Sequence, residues 1–209
     1  IYVVYADFVE KKNLFTLINS FRYFKNNFAL YKKTKLKIAG TGPLQEKLKT
    51  YVKSLKMNDI EFVGAVSYND LPKFYSNSKG LILLSSSEQW GLVTNEALSS
   101  GIPVLISEKC GSRELIKENI NGFIVNENDK TEIATRMRDL IELSKIDATK
   151  LKCRNSMRNV STSNFAKSCF ESCNTSNKKN MMKMLGFIGA LLLLFIKNLR
   201  FNEFRKFEA

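Results

Sequence analysis

The sequence predicts an α/β fold: a doubly wound parallel sheet followed by a basic, partly apolar helical tail. Three observations lead there. Six short apolar runs alternate with amphipathic stretches over the first two-thirds of the chain, the pattern of strand–helix–strand units joined by crossovers. The runs are continuous rather than alternating, as expected of strands covered on both faces. Gly40, Gly42, Gly64 and Gly111 follow strand ends, where such a sheet gathers its ligand-binding loops on one rim.

The first run, Tyr2–Ala6, leads into Leu14, Leu17, Ile18, Phe21, Phe24 and Phe28 at helical spacing, with Asn13 as the expected N-cap. The second run, Leu36–Ala39, ends in Gly40-Thr41-Gly42-Pro43. A GxGxxG phosphate loop would need glycine at position 45, which is Gln45. The turn is therefore expected to bring backbone close to a ligand edge or the next strand, with Pro43 opening a helix at its first position. Leu44, Leu48, Val52 and Leu55 outline that helix. Ile60–Gly64, Leu81–Leu84, Val104–Ser107 and Phe123–Val125 supply the remaining strands. A last helix is predicted from Lys130 to Lys145, with Ile133, Met137, Leu140 and Ile141 inward.

Three segments result: a core domain over residues 1–147, a polar linker with a weak returning helix over 148–180, and an apolar and basic segment over 181–209. Thirteen uncharged residues lie between Lys183 and Lys197. A bilayer span needs about 17–25 residues, so the stretch is too short to cross one without thinning it. Two readings stay open: attachment to an anionic membrane surface, or a core helix packed on another domain.

Composition narrows the chemistry. A net charge of +13 favours phosphate-rich partners. Histidine is absent, which removes Ser-His-Asp and Cys-His catalysis, histidine general bases and histidine-ligated metals. The four cysteines form no CxxC pair and read as reduced thiols rather than zinc ligands or disulfides. No Asp-x-Asp pair offers a clamp for a metal–diphosphate complex, and no metal site is predicted.

Residues 85–103, SSSEQWGLVTNEALSSGIP, concentrate the candidate chemistry. Glu88 ends an apolar run, Gly91 precedes a helical stretch, Glu96 lies inside it, and Gly101 and Pro103 stop it. The free N–H groups at that helix start favour an anion, while two carboxylates eight positions apart suit hydroxyl groups. A hydroxyl-rich molecule bearing a diphosphate fits both. Trp90, the only tryptophan, either fills the core or shapes the wall of a sugar pocket. Lys12, between the first strand and its helix, is either a solvated charge or a diphosphate contact.

The block EQWGLVTNEALSSGIPVL closely resembles the E-x7-E signature of family-4 glycosyltransferases, retaining enzymes of the two-domain GT-B fold. YADFVEKKNLFTLINSF, KLKIAGTGP, IEFVGAVSYNDLPKFYSNS and CGSRELIKENINGFIV follow in the order of that family's C-terminal, nucleotide-sugar domain. The resemblance implies that Glu88 lies at the donor sugar as the catalytic carboxylate and that Glu96 meets the ribose hydroxyls. It implies that Trp90, Gly91, Leu92 and Val93 hold sugar and diphosphate through backbone amides. Lys12 would neutralise the diphosphate, and Phe62, Val63 and Gly64 would line the base. No cofactor is implied beyond the nucleoside diphosphate sugar donor, and such enzymes do not depend on a metal held by Asp-x-Asp.

Two departures stand out. Ala6-Asp7 occupies the place of the family's usual Gly-Arg, and the N-terminal acceptor domain is absent from this sequence. The chain therefore reads as the donor half of a glycosyltransferase in cell-surface polysaccharide or glycolipid synthesis. Its expected partners are a nucleotide sugar, a glycan or lipid-linked acceptor, the missing domain and an anionic membrane surface, but not nucleic acid. The expected location is cytoplasmic, peripheral at the inner face of the cell membrane. Two alternatives stand beside it: a truncated, non-catalytic nucleotide-binding or membrane-association module, and a sugar-nucleotide epimerase of GT-B architecture.

Overall fold

The computed structural model describes residues 1–158 and residue 160. The chain divides into two compact units, Ile1–Met157 and Arg158–Ala209, and the first holds the sheet and its helices. The expected membrane segment at 181–209 lies outside the described residues. Among the described residues no helix is long and apolar enough to cross a membrane.

Six strands, β1 (Tyr2–Tyr5), β2 (Leu36–Ala39), β3 (Ile60–Gly64), β4 (Gly80–Leu83), β5 (Val104–Ser107) and β6 (Gly122–Val125), form one sheet. All pairings are parallel, in the order β3-β2-β1-β4-β5-β6. The helices are α1 (Leu14–Asn27), α2 (Gln45–Ser54), α3 (Leu71–Ser76), α4 (Leu92–Ser100), α5 (Lys130–Lys145) and α6 (Asp147–Ser156). The predicted α/β doubly wound architecture is the observed one.

Side-chain alternation along each buried strand builds two cores at once. Tyr2, Val4, Ile38, Ile82 and Leu105 face one layer, filled by Leu17, Phe21 and Phe24 of α1, Leu48 of α2 and Met137 of α5. Val3, Leu81, Leu83, Val104 and Ile106 face the other, with Tyr75 of α3, Leu98 of α4 and Cys153 of α6. Tyr2 anchors the first layer by donating its hydroxyl to the Met137 carbonyl. Helix α4 stops at Gly101, whose φ of +86° makes the left-handed C-cap that glycine adopts at least cost. Helix α6 occupies the start of the stretch read as polar linker, and a Cβ on Gly101 would lie 2.6 Å from Lys150 Cγ.

Two local expectations change. Asn13 does precede α1, but in a left-handed conformation (φ +53°) that directs no cap bond to the helix. Its side-chain amide instead donates to the Glu127 carbonyl at 3.2 Å. Pro43 is not the first helical residue, because Leu44 and Gln45 N–H groups are taken by the Phe8 and Gly42 carbonyls and α2 starts at Gln45. The Gly40–Gly42 turn does serve close backbone approach. A Cβ on Gly40 would stand 1.9 Å from the Ala6 carbonyl oxygen, and one on Gly42 2.7 Å from the Phe8 nitrogen.

Candidate functional site

The strand order reverses direction between β1 and β4, and the carboxyl ends of these two neighbours define the crevice where doubly wound sheets bind ligands. The loop after β1 carries Lys12, and the loop after β4 carries Glu88. The Ser86 N–H donates to the Lys11 carbonyl at 2.9 Å, which ties the two loops together. Within that frame the Lys12 ammonium contacts Glu88 Oε2 directly, and both side chains are about 15% exposed. Ser85 Oγ donates to the same carboxylate oxygen at 3.4 Å.

Glu88 is also held through its backbone. Beyond Leu83 and Ile106 the chains after β4 and β5 separate, then rejoin in an isolated parallel bridge between Glu88 and Cys110. Glu88 N–H donates to the Lys109 carbonyl at 3.3 Å, and its carbonyl accepts from Gly111 N–H at 3.0 Å. Trp90 continues the ladder by accepting from Ser112 N–H at 2.9 Å. Gly111 is the residue that permits this approach: a Cβ there would lie 1.9 Å from the Gln89 carbonyl oxygen. Cys110 is buried behind Glu88, and burial together with that charge pushes its thiol up to about 12. It stays protonated at neutral pH.

Gly91 turns the chain into α4 with φ +89°, and a Cβ would approach Leu83 Cδ2 to 2.9 Å and Glu88 Cγ to 3.3 Å. Among the described residues no side chain caps this helix start, and its first turn holds no acidic residue. Leu92 and Val93 form its first positions. The start is fastened by two side-chain bonds instead: Ser112 Oγ donates to Thr94 Oγ1 at 3.0 Å, and the Trp90 indole N–H to Asn95 Oδ1 at 2.9 Å. Trp90 is thus half-buried and held at the helix start.

Glu96 lies one turn further along α4, where Tyr75 of α3 donates its hydroxyl to Glu96 Oε2 at 2.9 Å. Burial, then the Glu96 charge, raises Tyr75 far above the ordinary phenol range, so it remains a donor. Tyr5, the last residue of β1, is raised by burial and by the charges of Glu96 and Asp7. Both carboxylates therefore act on the carboxyl end of β1. Asp7 itself is exposed. Tyr75→Phe removes a buried bond to a charged group and should cost about 1.5–3 kcal/mol of folding stability, read from denaturant midpoints.

Phe62, Val63 and Gly64 stand apart from the ion pair. They lie on β3, three strand spacings from β4, or roughly 14 Å along the rim. Phe62 packs edge-on against Phe8 in the β1 loop at 6.0 Å, and the Gly64 carbonyl accepts from Gly40 N–H at 2.7 Å. Val63 lines a cavity of about 330 Å³ with Val66, Ser67 and Phe74. So Lys12 and Glu88 meet, Trp90 to Val93 adjoin them in the chain, and Glu96 sits on the same helix. Sequence reasoning missed Tyr75, Ser112 and Thr94. The glycine at 111 was the one visible trace of the loop pairing. Among the described residues no group of three or more His, Cys, Asp or Glu could hold a metal.

The chain as a whole has known relatives. The family model of glycosyl transferases group 1 matches residues 1–159. An uncharacterized glycosyltransferase of Methanocaldococcus jannaschii, MJ1178, is 25% identical over 142 residues, covering 68% of this chain and 38% of its own. The amylovoran biosynthesis glycosyltransferase AmsK of Erwinia amylovora is 28% identical over 136 residues, covering 62% of this chain and 33% of its own. The chain thus spans between about a fifth and two-fifths of the length of the curated relatives it matches. Among solved structures, Anabaena Alr3699/HepE in complex with UDP superposes with a TM-score of 0.60 at 21% identity, over 74% of this chain and 42% of that one. With its parallel sheet, its strand-order reversal and a family match over three-quarters of its length, the chain belongs to the group 1 glycosyl transferases.

Proposed function

We propose that this chain is the donor-binding half of a retaining, family-4-type glycosyltransferase that moves a sugar from a nucleoside diphosphate to an acceptor hydroxyl. The observation that carries it is the Lys12–Glu88 contact at the β1/β4 reversal, beside an α4 start that no side chain caps. A cation and open helix N–H groups make that position favourable for a diphosphate. Glu88, fixed through its backbone on two sides, meets the donor sugar. Glu96, braced by Tyr75, accepts from the ribose hydroxyls, and Phe62 to Gly64 border the base.

Departure of the diphosphate is the step that builds charge. Lys12 and the N–H groups of Leu92 and Val93 stabilise it by preorganised electrostatics, without an acid from histidine, which the chain lacks. The donor shares Lys12 with Glu88, so its arrival redistributes an existing ion pair rather than desolvating a lone ammonium. Relatives such as AmsK favour an acceptor in polysaccharide synthesis. The net charge of +13 favours work beside an anionic membrane surface. The test is catalytic. Joined to its acceptor domain, the enzyme carrying Glu88→Gln should lose transfer by about 100-fold or more while still binding free nucleotide, and the parent enzyme should work in chelator. Strong inhibition by chelator that manganese reverses would contradict the proposal.

A further inference from the structure

Glu127 is a carboxylate that the proposed transfer leaves without a task. It follows β6 and is only 4% exposed. Burying a carboxylate is unfavourable unless its lone pairs are met, and here they are met on both oxygens. Ser107 Oγ donates to Oε2 at 3.2 Å, and Asn128 Nδ2 donates to Oε1 at 3.1 Å.

From this residue hydrogen bonds run in two directions. In one, Ser107 Oγ also accepts from Lys109 N–H at 2.9 Å, and the Lys109 carbonyl accepts from Glu88 N–H at 3.3 Å. In the other, the Glu127 carbonyl accepts from the Asn13 side chain at 3.2 Å. Asn13 is the neighbour of Lys12 and holds a left-handed φ of +53°, which asparagine adopts more readily than most residues other than glycine. One route ends on the backbone of Glu88 and the other beside Lys12. The two partners of the ion pair are therefore referred to one buried residue from opposite sides.

We propose that Glu127 is a positioning residue that sets the Lys12–Glu88 pair: its carboxylate braces the Glu88 loop through Ser107, and its main-chain carbonyl, which a side-chain substitution leaves in place, holds Asn13 beside Lys12. The consequence for donor binding rests on the function proposed above; the bracing itself does not. A residue that merely fills space after β6 would stabilise the whole sheet alike. A bracing residue acts on the loops first.

Amide hydrogen exchange of the ligand-free 209-residue chain separates these roles. Glu127→Ala should speed exchange at the Glu88 and Gly111 amides by about tenfold while Val4 and Ile38 in the central strands keep their protection. Glu127→Gln keeps an acceptor for Ser107 and should restore the parent rates. Ser107→Ala cuts the same link at its other end and gives the decision if Glu127→Ala does not fold. Unchanged exchange at Glu88 and Gly111, or a rise that Val4 and Ile38 share equally, overturns the proposal. UDP titrated into the same samples keeps the two questions apart. A parent chain that binds neither UDP nor, in parallel titrations, GDP or ADP defeats the donor-site function, while the exchange pattern still decides the role of Glu127.

Discussion

Gly111→Ala is expected to cost about 2–6 kcal/mol of stability and to abolish nucleotide binding together. The new methyl carbon would stand 1.9 Å from the Gln89 carbonyl oxygen and 2.9 Å from its carbon, both backbone atoms that no rotamer change can move aside. The clash resolves only by pushing the 88–90 segment away from the chain after β5. That breaks Gly111 N–H to Glu88 and Ser112 N–H to Trp90, two bonds worth about 0.5–1.5 kcal/mol each, on top of a typical overpacking cost of about 1–3 kcal/mol. Glu88, Trp90 and the start of α4 move as one, because Trp90 is tied to Asn95 and Ser112 to Thr94. Denaturant unfolding followed by Trp90 fluorescence reads the stability, and calorimetric titration with nucleotide reads the binding. A variant with parental stability and an unchanged emission spectrum would show that the loop pairing is not needed.

The second large effect concerns Lys12. Lys12→Ala should weaken nucleoside diphosphate binding by about 10- to 150-fold, the equivalent of losing a bond between charged groups worth about 1.5–3 kcal/mol. It should also destabilise the fold by about 1–3 kcal/mol, since a carboxylate only 15% exposed loses its cation. These consequences have different remedies. The double variant Lys12→Met, Glu88→Gln removes both charges and should recover most of the stability, but none of the affinity. Recovery of affinity along with stability would mean that Lys12 supports Glu88 and makes no contact with the diphosphate.

Strands β1, β4, β5 and β6 were legible because nearly all their residues are buried, so their apolar runs are continuous. Strand β3, at the sheet edge, departs from the expected cover on both faces, with Glu61 and Val63 exposed. Helices α1 and α5 were legible from their long inner stripes. Helix α3 was not, because the six residues Leu71–Ser76 are too few for a 3.6-residue period to show. Helix α6 escaped for another reason: it buries only Thr149 and Cys153 within a run of lysine, arginine and asparagine, while Leu151 is left exposed.

At the site, the local part was legible and the remote part was not. Glu88, Gly91 and Glu96 share one short segment whose residue types suit a helix start and a polar ligand. Their supports come from elsewhere in the chain, Tyr75 from α3 and Gly111 from beyond β5, and no spacing rule links such distant positions. Asn13 illustrates the limit most clearly. As an N-cap its type was right and its partner was wrong, because a carbonyl 114 positions away competes successfully for its amide.

Titration calorimetry of the folded 209-residue chain with UDP, GDP and ADP tests the central claim most directly. At least one nucleotide should bind at millimolar concentration or below, corresponding to about −4 kcal/mol or better, and Glu96→Ala should weaken that binding by about 1–3 kcal/mol without unfolding the chain. A folded chain that binds none of the three at millimolar concentration, or binds one with the same affinity after Glu96→Ala and Lys12→Ala alike, would contradict the assignment of the β1/β4 crevice as the donor site.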